Sequence, residues 1–209
     1  MPLPKLSPRA REATIWALYA MGLMPGLWGF YQGATGQIPG DPVRIFEHML
    51  GLWALRFLCL GLAVTPLRDL AGVNLIAYRR ALGLLAFYYV LAHFTVYLTL
   101  DRGLMFSTIL ADIVKRPYIT LGMAGLVMLI PLALTSNRWS IRRLGSDWNR
   151  LHKLVYPILI VAVLHYALSL KVVTGEPAFY LLVTALLLGY RLVRPRLLEA
   201  RRRLRQASR

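Results

Sequence analysis

The chain has 209 residues, 57% of them hydrophobic, and carries 25 Lys and Arg against 9 Asp and Glu for a formal charge of +16. That apolar content exceeds what one soluble domain of this length can bury, which excludes a soluble fold and calls for lipid to cover the remainder. Such a charge on a soluble domain would suggest nucleic acid, but here the cations sit in short segments between apolar runs, as cytoplasmic loops of membrane proteins require.

Residues 1–13 read as a short cytoplasmic segment, followed by an apolar run from Thr14 to Phe30. No small-residue cleavage site follows that run, so it is expected to be a retained first span, 14–30, rather than a signal peptide. Gly33, Gly36, Pro39 and Gly40 then break the chain ahead of a second helix over 45–64, which holds His48 and Arg56 and stops at Thr65-Pro66. A third helix over 81–100 follows Arg79 and Arg80 and contains His93; Arg116-Pro117 opens a fourth over 118–135. The fifth, 151–170, begins at His152 and includes His165, and Gly175-Glu176-Pro177 precedes the sixth, 178–193. Each run is about the length a helix needs to cross a ~30 Å hydrocarbon core. The basic tail 194–209, with Arg201, Arg202, Arg203 and Arg205, reads as an anionic-lipid contact.

The expected fold is an all-α polytopic transmembrane helix bundle of about six spans, with a single membrane domain over 14–193. Nineteen of the 25 Lys and Arg lie before the first span, in 65–80, in 136–153 and from 191 onward, whereas the opposite loops hold five. This asymmetry places both termini in the cytoplasm. Cys59 is the only cysteine, so no disulfide forms within the chain, and it reads as core filling.

All four histidines fall in or at the edge of these helices. A neutral imidazole in hydrocarbon must satisfy both ring nitrogens, through a ligand, a proton role or an interhelical hydrogen bond. His93 lies about 20 Å beyond Arg80, and His165 about 22 Å beyond Arg150 on a parallel helix, so the two reach nearly one depth. Such a pair can supply both axial ligands of a b-type haem. His152, at the cytoplasmic surface, is rotated about 220° from His165 and marks a separate site. His48 could line the outer haem edge, ligate another cofactor or sit at a docking surface. Arg56, a cation inside a span, needs a polar partner such as a haem propionate, a quinone carbonyl or a flavin phosphate, or it snorkels to the interface. Arg79 and Arg80 read as charge anchors with anionic-cofactor binding as the second reading, and Trp139 and Trp148 as an interfacial aromatic belt. Neither a GxGxxG after a strand nor a P-loop is present, so electrons must come from outside the chain.

Several ordered stretches carry a family resemblance: Gly40-Asp41-Pro42-Val43 leading to His48, Thr65-Pro66-Leu67, Arg79-Arg80-Ala81-Leu82-Gly83-Leu84 and Arg116-Pro117-Tyr118-Ile119-Thr120-Leu121-Gly122. Leu132-Ala133-Leu134-Thr135-Ser136 and Leu151-His152-Lys153-Leu154-Val155-Tyr156, with His165 beyond, complete the set. In their order and spacing they resemble the ferric-reductase-like transmembrane domain family, and within it the haem-binding subunits of methionine sulfoxide reductase systems. The resemblance implies a bacterial inner-membrane protein with heme b and FMN. It further implies electrons from membrane quinol or a cytosolic flavin reductase, and a periplasmic MsrP-like molybdopterin reductase as partner in a heterodimer repairing oxidised proteins. On that reading the chain is an electron-transfer subunit rather than the catalytic one. Family members with two histidines on each of two helices have one 14 residues before the position of His93, where this chain has Arg79; an inner flavin near His152, itself a possible metal ligand, would fit there.

Two other classes remain. A self-standing ferric or metal reductase would need an outer metal site, for which Asp41, Glu47, Asp101, Asp112 and Glu176 are available, and a transporter without cofactor could use the histidines as a proton relay. For a periplasmic partner, the loops at 31–44 and 101–117 are the expected docking surface, with Arg102, Lys115 and Arg116 steering an acidic face.

Overall fold

A computed structural model describes residues 7–170 and 175–207, without the side chains at 201, 202, 204, 205 and 207. The first six residues of the expected cytoplasmic segment, the loop at 174 and the side chains of Arg201, Arg202 and Arg205 lie outside the described residues.

Six long helices run across the bundle: α1 (Pro8–Ala34), α2 (Pro42–Ala71), α3 (Arg79–Val96), α5 (Pro117–Leu134), α8 (Val155–Ser169) and α9 (Gly175–Ala207). Three short ones, α4 (Phe106–Lys115), α6 (Arg138–Leu144) and α7 (Ser146–Leu151), lie in the segments expected to be loops. Helix starts follow local chemistry. Proline stands in the first turn of α1, α2 and α5, where its missing N–H costs nothing, and Ser7 and Asp41 cap α1 and α2 by accepting from the Ala10 and Arg44 amides.

The second helix continues through Pro66, where the sequence suggested a stop, and ends at Gly72 in the left-handed conformation (φ 72°). Pro66 has no N–H for the Leu62 carbonyl, and the Arg191 guanidinium donates to that oxygen instead (2.5 Å). A comparable repair is seen in α1, which contains Pro25. There the Tyr89 hydroxyl accepts from the Gly26 amide (2.9 Å) and donates to the Gly22 carbonyl (2.8 Å), so it bridges the helix ladder beside the proline.

Five segments are both long and apolar enough to span a membrane: Pro42–Ala71, Ile76–Asp101, Pro117–Leu134, Ser146–Ser169 and Gly175–Ala200. The expected first span is not among them, because its Trp, Tyr and Gly residues lower its hydropathy. It nevertheless lies parallel to α3 across the same thickness. Thr14 meets Tyr78 at one end (3.0 Å), Gly22 and Gly26 meet Tyr89 midway, and Gly29 packs on Phe46 and Met49 at the other. Trp16, Met21, Met24, Leu27, Trp28 and Phe30 point outward from it as an exposed apolar face.

The core lies where α2, α3 and α8 meet, with Leu62, Val64, Leu85, Ile158, Leu159 and Val163 fully enclosed. α3 and α8 stand diagonally across a four-helix centre, each packed on both α2 and α5. One end of the bundle gathers the starts of α1, α3 and α8 with most of the cations and is called the basic end here; the opposite one is the far end. At the basic end, Asp69 takes Arg68 (2.9 Å), Tyr190 (3.1 Å) and Arg194 (2.6 Å), which ties α2 to α9. Within the described residues, the tail from 194 to 207 continues α9.

Candidate functional site

Towards the far end, His93 of α3 and His165 of α8 face each other across the four-helix centre, their ring centroids 6.0 Å apart and their planes at 84°. The same local device holds both. Nδ1 of His93 lies 2.9 Å from the Glu47 carbonyl on α2, and Nδ1 of His165 lies 2.6 Å from the Tyr118 carbonyl on α5. Four residues after each carbonyl comes a glycine. A Cβ on Gly51 would stand 3.3 Å from His93 Nδ1, and one on Gly122 only 3.0 Å from His165 Nδ1 and Cε1. Each ring therefore nests on bare backbone in the gap that a side chain would fill.

A carbonyl can only accept, so each Nδ1 carries the proton, and in a neutral ring the lone pair is left on Nε2. With both Nδ1 protons held, each ring keeps Nε2 as its free donor, and the two rings lie 6.0 Å apart, so together they can act as a two-donor site. Among the described residues, no group of three or more His, Cys, Asp or Glu side chains gathers to hold a metal ion. A metal between His93 and His165 must therefore bring its other ligands with it, as haem iron does. Iron–nitrogen bonds of about 2 Å would set the two centroids about 6 Å apart, which the observed separation matches. A b-type haem fits these residues.

Around the pair lie groups that the sequence identified only in part. Glu47 Oε1 is 3.9 Å from His93 Nε2. His48, one residue on, is exposed and packs its ring on Tyr166 (5.5 Å). The Tyr166 hydroxyl donates to Glu176 (3.2 Å), and Glu176 in turn faces Arg56 (3.5 Å). Arg56 also donates to the Tyr180 hydroxyl (3.0 Å) and lies over the Trp53 ring. Its partner is thus a carboxylate of α9, and the half-exposed Glu176 is committed to Arg56 and Tyr166.

Two of the three cations expected to steer a partner are also engaged. Asp112 on α4 is buried between Arg102 (2.7 Å) and Arg116 (3.1 Å), with the Tyr97 hydroxyl donating to it (3.2 Å). This knot holds α4 against the bundle while Phe106, Leu110 and Val114 form an outward apolar ridge at helical spacing. Of the three, Lys115 alone makes no ion pair among the described residues.

At the basic end, about 20 Å along the chain from His165, His152 donates from Nδ1 to the Trp148 carbonyl (3.0 Å) and stacks on the Trp148 ring at 3.8 Å. Its Nε2 is buried towards the Leu132 carbonyl without a hydrogen bond. Trp148 is turned inward, donating to the Thr135 carbonyl (3.0 Å), so of the two tryptophans only Trp139 remains as an outward aromatic. Arg191 keeps Nη1 buried without a hydrogen bond.

Residues 50–163 match the model of the ferric reductase like transmembrane component family. The chain is 68% identical over 200 residues to the protein-methionine-sulfoxide reductase heme-binding subunit MsrQ of Agrobacterium fabrum, covering 96% of this chain and 93% of the relative. The MsrQ subunit of Rhizobium meliloti is 58% identical with the same coverage, and that of Brucella ovis 56% identical over 91% of this chain and 87% of its own length. No solved structure matches.

Proposed function

This chain belongs to the MsrQ heme-binding subunits within the ferric-reductase-like transmembrane family, and on that footing we propose that it binds heme b between His93 and His165 and carries electrons to a protein-methionine-sulfoxide reductase. The observation that carries the proposal is the facing imidazole pair with both Nδ1 protons fixed on backbone carbonyls. Haem bound there supplies a reversible one-electron couple. The protein's part is to hold it. The Glu47 and Tyr118 carbonyls orient the rings and raise their basicity, and His93 and His165 would together hold the haem iron for electron transfer rather than oxygen binding. The apolar core at Leu85, Leu159 and Val163 keeps water from the path between the two ends.

The basic end faces the cytoplasm of a bacterial inner membrane, by the distribution of Lys and Arg. Electrons enter there from quinol or a cytosolic flavin reductase and leave at the far end for a periplasmic MsrP-like molybdopterin enzyme. FMN is proposed for the basic end, with Arg79 and Arg191 towards its phosphate and His152 towards its ring; Arg191 Nη1 and His152 Nε2 are buried there without a hydrogen bond. His152→Ala is expected to leave the visible spectrum of the His93–His165 haem unchanged while flavin content and reduction by the donor fall about tenfold. Unchanged flavin content and donor reduction would remove the assignment.

The test of the function is reoxidation. Haem in the purified protein is reduced beforehand, and its reoxidation is followed on adding an MsrP-like reductase with methionine sulfoxide. Reoxidation should require both additions. Equally fast reoxidation without the reductase would favour direct reduction of metal ions or oxygen.

A further inference from the structure

We infer that the basic end carries a second, separate site, a pocket of about 260 Å³ between α1, α3 and α6 that binds the phosphate of an anionic membrane lipid. Three arginines from three elements line it: Arg11 on α1, Arg80 on α3 and Arg138 on α6, with Tyr19 beside them and Ile15 and Ala81 as its apolar lining. Among the described residues none of the three arginines is in an ion pair, whereas nearby Arg68 and Arg194 share Asp69, and Arg150 has Asp147. Three like charges around one concavity repel one another unless an anion joins them. A guanidinium fork matches a phosphate with two parallel hydrogen bonds, so this set suits a phosphate better than a carboxylate.

The walls of the pocket are fixed. The Thr14 and Tyr78 hydroxyls meet at 3.0 Å and join α1 to α3 beside it, and Asn137 accepts from the Ser140 amide (2.8 Å) to cap α6 at Arg138. Trp16, next to Ile15 on α1, and Trp139, next to Arg138 on α6, are about two-thirds exposed, as interfacial aromatics at headgroup depth are. This apolar flank, continued by the outward face of α1, is what decides for a lipid, whose acyl chains it can receive and which a soluble phosphate ester lacks. The pocket is also distinct from the His152 region. Arg80 lines it against α1, whereas none of Arg79, His152 and Arg191 is among its lining residues.

The test uses the full-length protein, delipidated in detergent and examined by native mass spectrometry with phosphatidylglycerol, phosphatidylcholine, inorganic phosphate or FMN. The wild type should retain phosphatidylglycerol about tenfold or more over phosphatidylcholine, as three surface arginines allow. The triple variant Arg11→Gln, Arg80→Gln, Arg138→Gln should lose that preference, and Arg80→Gln alone should weaken it, which serves if the triple variant fails to fold. A control removing three other cations of the same end, Arg142→Gln, Arg143→Gln and Arg196→Gln, should keep it. Equal loss in the control, or none in Arg80→Gln, would overturn the site. Displacement of the lipid by FMN or inorganic phosphate would overturn the lipid assignment in favour of a soluble phosphate.

Discussion

Replacement of His93 or His165 by alanine is expected to abolish stable haem binding, with each single variant as damaging as the pair. The reason lies in the donor count. The pair offers two imidazole nitrogens, and among the described residues no group of three or more His, Cys, Asp or Glu side chains could hold a metal ion. Loss of a hydrogen-bond partner behind a metal ligand costs roughly 10–100-fold in metal affinity, so loss of a ligand should cost more. His48 is no substitute, because its ring is exposed and engaged with Tyr166. The check is the reduced-minus-oxidised visible spectrum with haem quantified per protein, alongside a circular dichroism spectrum showing that the helices persist. Full haem content with an unaltered spectrum in either variant would refute the assignment.

The second large effect is expected at a residue with no chemistry of its own. Gly122→Leu should lower haem content about tenfold or more, and Gly122→Ala should shift the haem spectrum with a smaller loss. A Cβ at position 122 meets His165 Nδ1 and Cε1 at 3.0 Å, and the ring cannot retreat without leaving the Tyr118 carbonyl that fixes its tautomer. Overpacking by a single methyl group typically costs roughly 1–3 kcal/mol. Gly51→Ala, whose Cβ clears His93 by 3.3 Å, should be the milder of the two alanine variants. Haem content and band positions across this series test the ordering. An equal effect of Gly51→Ala and of an alanine at Gly83, where nothing lies within 4 Å, would show that helix propensity rather than ring contact is at work.

That His93 and His165 lie side by side was legible in the sequence because depth along parallel helices is simple arithmetic, and His152, the other histidine of the fifth helix, lies about 20 Å from that depth. The carbonyl-and-glycine seat was also present, as Glu47 with Gly51 and Tyr118 with Gly122. Its meaning appears only once α2 and α5 are known to flank the pair, since glycine in a span otherwise reads as ordinary helix packing. Arg56 called for a polar partner, but the identity of that partner, Glu176, depends on the angle at which α9 enters, which no local pattern encodes. The cations at 102 and 116 read as free because Asp112 lies on a ten-residue helix too short to stand out from a loop. The end of α2 was misjudged for a related reason. A proline stops a helix only when its orphaned carbonyl has no other donor, and here Arg191, 129 residues away, supplies one.

The central claim, one haem iron held by two neutral histidines, is tested most directly by electron paramagnetic resonance of the oxidised wild-type protein at low temperature. Two imidazole ligands with nearly perpendicular planes predict a low-spin ferric signal of large anisotropy, and no reaction of the reduced haem with carbon monoxide. A predominantly high-spin ferric signal, or ready binding of carbon monoxide after reduction, would mean an open axial position and would contradict the account.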